Sequence, residues 1–112
     1  MAAPVLNVRL QLEHPGREDD GIGGHRLIWR PLGILWAQMR AGTGRERQGE
    51  VGAQSVVIWR ITLRGAPQGD PRRPLPGQRL RLRERLFRIE AVAESDASGR
   101  WLICHAREEA PT

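Results

Sequence analysis

The side chains best suited to proton or acyl chemistry in this chain are His14, His25, His105 and the lone cysteine, Cys104. A thiol nucleophile needs a base within hydrogen-bond reach, and that base needs a group to orient it. His105 follows Cys104 directly, so in an extended strand the two point to opposite faces. A dyad would need His14 or His25 to arrive from elsewhere, and no spacing favours that. Cys104 alternates with Leu102 and Ala106, which marks it as a small core residue. No CxxC, HExxH, GxSxG or phosphate-loop pattern occurs. Asp19-Asp20-Gly21 has the start of a calcium loop, but the later oxygen ligands of an EF-hand do not follow. Gly21, Gly23 and Gly24 do not lead from a strand into a helix, so they are no dinucleotide fingerprint. The expectation is a protein without catalytic site, cofactor or metal.

Binding chemistry is better represented. Arg79, Arg81, Arg83 and Arg85 form a basic row, offset from Leu80 and Leu82. Such a row is either a solvated face neutralised by Glu84, Glu90 and Glu94, or a stripe toward DNA phosphates or an acidic neighbouring subunit. Trp29, Trp36, Trp59 and Trp101 supply aromatic surface. Trp59 falls on an apolar face and is expected in the core. Trp29 and Trp36 are candidates for a subunit or DNA contact.

These residues must be positioned by strands. Leu6, Val8, Leu10 and Leu12 alternate with polar residues, the pattern of a half-buried strand. Residues 14–24 carry His14-Pro15-Gly16 and two Gly-rich breaks, and are expected to form a flexible loop. Extended structure resumes at 25–40, with an edge, bulge or bend at Pro31 and Gly33. Residues 35–40 point Leu35, Ala37 and Met39 one way. Residues 56–64 do the same with Val57, Trp59, Ile61 and Leu63. Three more strands are expected at 79–83, 86–92 and 101–107, the first two joined by a tight turn at Glu84-Arg85. Residues 65–77 form a second Pro/Gly-rich loop, and 108–112 a frayed tail.

The connector at residues 41–55 stands apart. It has four glycines, charges of both signs and little apolar surface. It far exceeds the roughly 2–5 residues of a hairpin loop. Thr43 and Glu46 stand three residues apart, as in a capping box, which predicts one short helix there. No helical periodicity is sustained elsewhere. The expected fold is all-β: a small antiparallel barrel or sandwich of about six strands in a single domain over 1–112.

The chain has 112 residues and a formal charge of +5; all 18 of its basic residues are arginine. Total exclusion of lysine points to a GC-rich genome more than to nucleic-acid chemistry, which uses both cations. A single cysteine permits no internal disulfide. The first five residues lack a basic region followed by an apolar one, so no signal peptide is expected. No apolar run approaches the roughly 20 residues that span a bilayer, and no membrane partner is expected.

The layout resembles the phage head–tail joining family (head-closure or stopper proteins) of siphovirus-type phages, prophages and gene transfer agents. The matching points run in chain order. After the alternating first strand come Asp20-Gly21-Ile22-Gly23-Gly24, Trp29 and Leu35-Trp36-Ala37. Gly44-Arg45-Glu46 opens the connector, Trp59-Arg60-Ile61-Thr62 follows, and Pro76 precedes Arg79-Leu80. Phe87-Arg88-Ile89-Glu90-Ala91-Val92 and Cys104-His105-Ala106-Arg107-Glu108 complete the set. Departures are Pro31-Leu32-Gly33 and the long Pro-rich segment at 65–76.

The resemblance implies a structural virion protein and a homo-oligomeric ring of six or twelve subunits. It implies a portal or adaptor protein above and a tail terminator or tail tube protein below, with packaged double-stranded DNA in the channel. It also implies assembly in the bacterial cytoplasm before incorporation into the neck of the particle. The loop facing the DNA would comprise Gly42, Thr43, Gly44, Arg45, Glu46, Arg47, Gln48, Gly49 and Glu50. The residues themselves leave a second class open, an OB- or SH3-like nucleic-acid-binding domain using the arginine row and exposed tryptophans.

Overall fold

A computed structural model of the chain describes residues 3–42, 45–46 and 55–110. All regular structure among them is β: β1 (Val8–Asp19), β2 (His25–Ala41), β3 (Arg45–Glu46), β4 (Ser55–Val56), β5 (Ile58–Arg64), β6 (Arg79–Leu82), β7 (Arg85–Glu94) and β8 (Trp101–Glu109). Six strands form one antiparallel sheet in the order β1-β2-β5-β8-β7-β6, which closes on itself as a barrel, while β3 and β4 pair separately. Closure removes the free edges that an open sheet of this size would leave unpaired.

Alternation decides what lies inside. Leu10, Leu12, Ala37, Ile61, Leu63, Leu80, Phe87, Ile89, Leu102, Cys104 and Ala106 make the buried core. Phe87 is its largest member, and half-buried Trp59 packs edge-on against it, the centroids 5.7 Å apart. The seam between β1 and β6 is short, pairing only Gln11 with Arg81, Leu12 with Leu80 and Glu13 with Arg79.

Several expected boundaries move. β1 does not end at Leu12 but runs to Asp19, paired with β2 as far as His25. The expected loop at 14–24 is therefore a long hairpin with a turn only at residues 20–24. Pro15 is tolerated because β1 has no second partner beyond Glu13, so no ladder donor is missed. The expected irregularity at Pro31 and Gly33 is a bulge. Leu12 pairs with Gly33 and Glu13 with Pro31, leaving Leu32 as the extra residue.

The tight turn after β6 sits one residue earlier than expected. Arg83 takes φ 57° and Arg85 already pairs with Leu82. The tail is ordered further than expected, since Glu108 and Glu109 pair with Phe87 and Leu86. The segment between β5 and β6 is built of turns around a fully buried Pro74, organised by buried Gln78, whose Oε1 accepts from the Leu75 amide at 2.8 Å.

The predicted short helix is absent from the described part of the connector. Arg45 and Glu46, the latter the expected helix-side member of the capping box, are extended and pair with Val56 and Ser55. Thr43, Gly44 and residues 47–54 lie outside the described residues. The β2–β5 ladder supplies the physical reason. It reaches Ala41–Trp59, and pairing that follows an existing ladder avoids the costly first turn of an isolated helix.

Candidate functional site

The connector leaves the barrel where β2 and β5 end. Its base is locked by the Gly42 amide, which donates to the Ile58 carbonyl at 2.7 Å. A Cβ at Gly42 would collide with that same oxygen, so the close approach of the two backbones requires glycine. Beyond it β3 and β4 pair over two residues. Of the nine residues expected to face DNA, Gly42, Arg45 and Glu46 are thus placed at the root of this arm. Thr43, Gly44, Arg47, Gln48, Gly49 and Glu50 lie outside the described residues.

The arginine row does not form a uniform cationic face. Arg79 is buried, and its Nε donates to Oε1 of buried Glu13 at 2.5 Å; Arg81 Nε donates to the other carboxylate oxygen at 3.0 Å. Arg85 is held by Glu108 through two hydrogen bonds of 2.8 and 2.9 Å. Arg83, on the β6–β7 turn, is exposed and forms no side-chain ion pair among the described residues. The neutralising carboxylates are therefore Glu13 and Glu108 rather than the expected Glu84, Glu90 and Glu94. Glu90 instead lies 3.9 Å from Arg107, and Glu94 3.8 Å from Arg73. No sequence signal pointed to Glu13, because only the β1–β6 register sets it directly across from Arg79.

Trp29 is equally committed. The guanidinium carbons of Arg79 and Arg88, neighbours across β6 and β7, sit 4.1 and 4.8 Å from its ring centroid. These cation–π contacts fasten the hairpin to the barrel wall. Trp36 differs: it is 52% exposed on the outer face of β2 beside Ile34, itself exposed. Together with Arg9, Gln11, Arg81 and Arg83 they line a surface groove of about 640 Å³. Trp36 was legible as an outward residue. Ile34 was missed, although it shares the parity of Trp36.

The histidines and the cysteine do not converge. Cys104 lies inside the barrel, where burial pushes its thiol up to about 12. His105 faces the other way and is half-buried, whereas His14 and His25 are exposed on the hairpin, with His14 Nδ1 3.1 Å from Gln78 Nε2. Among the described residues no three of His, Cys, Asp and Glu gather as a metal site. Asp19 and Asp20 spend their oxygens on the turn. Asp19 Oδ1 accepts from Gly21 N at 2.8 Å, and Asp20 Oδ1 from Ile22 N and Gly24 N at 2.9 and 3.0 Å.

The described residues thus form a closed all-β barrel with the connector rooted where β2 and β5 end. A sequence profile of phage head completion proteins matches residues 1–109. The chain belongs to the phage head completion protein family. Among solved structures, it is similar to a chain from the virion of a native gene transfer agent particle. The two are 49% identical with a TM-score of 0.80, over 98% of this chain and 100% of that one. No curated protein matches the chain. In this head completion protein the family match spans the barrel, the hairpin and the whole connector, including the part outside the described residues.

Proposed function

We propose that this chain is a structural, non-enzymatic component of a gene transfer agent or phage particle, closing the filled head and joining it to the tail. Its end-to-end likeness to a virion chain, over 98% of one and 100% of the other, is the observation that carries this reading. The protein assembles as a homo-oligomeric ring between the portal or adaptor and the tail proteins, after synthesis in the bacterial cytoplasm. The connector at 41–55 faces the channel and retains packaged DNA. Support for that role is physical: the arm leaves a rigid barrel through a locked glycine root, and its sequence offers Arg45 and Arg47 to phosphates.

The test is a particle whose chain is shortened across residues 44–52. Particles are expected to assemble and then lose DNA, read as nuclease-sensitive DNA in purified preparations. Full DNA retention by the shortened chain would remove the channel role. DNA-retaining, tailed particles made without this chain at all would remove the head-completion role. The tethering of Arg79, Arg81 and Arg85 by carboxylates leaves a free-standing nucleic-acid-binding domain without a specific observation in its favour.

A further inference from the structure

The β1–β2 hairpin ends in a surface with no function in the barrel. Its turn holds Ile22, 88% exposed, framed by Asp19 and Asp20, with Glu18 paired to Arg26 at 2.8 Å just below. The turn is rigid: the aspartate caps described above fix it, and Gly21 and Gly23 take φ 83° and 88°. Among the described residues nothing covers this isoleucine, which is held out on a stiff tip.

The groove at the other end of the same two strands has the opposite character. Ile34 and Trp36 give it an apolar floor, Arg9, Arg81 and Arg83 line it, and no acidic side chain does. Arg9 and Trp36 are cross-strand partners, as are Asp19 and His25 at the tip. Ten residues of β1 separate Arg9 from Asp19, roughly 30 Å of extended chain. One copy therefore cannot place its own tip in its own groove.

We propose that the hairpin tip of one copy docks in the Ile34–Trp36 groove of the next, with Ile22 on the apolar floor and Asp19 and Asp20 facing Arg9 and Arg83. Charge selects this occupant: the Oδ2 atoms of Asp19 and Asp20, which the turn does not use, meet Arg9 and Arg83 around one aliphatic anchor, while Arg81 is already held by Glu13 and Glu18 by Arg26. The contact is heterologous, tip to groove, and such contacts generate rings when the rotation closes. The inference rests on the ring assembly proposed above and names the surface that makes it.

The experiment pairs Ile22→Cys with Trp36→Cys in one chain and oxidises purified particles; native Cys104 is buried and does not interfere. A ladder of covalent multimers is expected, with each single variant giving monomers. DNA-retaining particles without a ladder would overturn the tip-in-groove contact while leaving the head-completion role intact. Where the double variant does not enter particles, Ile22→Asp is compared with Ile22→Leu. Ile22→Asp is expected to lower particle yield about tenfold and Ile22→Leu to keep it. Yield unaffected by Ile22→Asp, or lowered equally by Ile22→Leu, would overturn the proposal.

Discussion

Glu13 and Arg79 meet inside the shortest seam of the barrel, the Arg79 Nε 2.5 Å from Glu13 Oε1, with both residues buried. Arg81 reaches the second oxygen of the same carboxylate at 3.0 Å. Only three residue pairs join β1 to β6, so this clasp supplements a seam with few backbone hydrogen bonds. Removing one partner of a buried pair strands the other charge, at a cost of about 3–5 kcal/mol. Glu13→Ala is therefore expected to lose that much stability in urea denaturation. Glu13→Leu combined with Arg79→Met should lose much less, because neither charge is left stranded.

Gly42→Ala should destabilise the root of the connector. The added methyl meets the Ile58 carbonyl, so the backbones must separate and the Gly42–Ile58 hydrogen bond weakens. A loss of about 1–3 kcal/mol is expected. Amide exchange should show the opening to be local, with fast exchange at residue 42 and continued protection in β8.

Cys104 should report on opening of the barrel. Burial holds its thiol neutral, with a pKa near 12, so at pH 8 a thiol reagent finds almost no thiolate and no access. Labelling is expected to be negligible in the folded protein and to rise together with the urea transition. Rapid labelling of the native chain would contradict the closed core.

Acid should weaken the protein through its surface carboxylates. Hydrogen bonds from Arg72 lower Asp70 from 3.8 to about 2. The Ser98 side chain and amide lower Asp96, and Arg85 lowers Glu108. Each folded-state value lies below the unfolded one, so the associated stability is present above about pH 4 and is lost as pH falls toward 2. Thermal melts from pH 6 to pH 2 should show a falling midpoint, with a smaller drop below pH 4 in Asp70→Asn.

Phe87→Ala should be the most damaging of the core truncations. The ring is fully buried and carries the edge contact with Trp59. A cost of about 3–5 kcal/mol is expected from calorimetry or denaturant melts.

Sequence alone determined the parts governed by local periodicity. The alternation of Leu10 and Leu12, of Ile61 and Leu63, and of Leu102, Cys104 and Ala106 identified strands and their inner faces, because a period of two leaves one choice of buried side. The opposed directions of Cys104 and His105 followed from the same rule. Tertiary structure decided everything that depended on pairing. His14-Pro15-Gly16 was legible only as a break, yet β2 lies alongside it and makes it strand. Thr43 and Glu46 have the spacing of a helix start, yet β4 pairs with Arg45 and Glu46 and keeps them extended. Arg79 belongs by pattern to a solvated row, but the β1–β6 register sets Glu13 directly across from it, and both are buried. Periodicity records which side chains share a face, whereas the partner across the ladder is set by residues dozens of positions away.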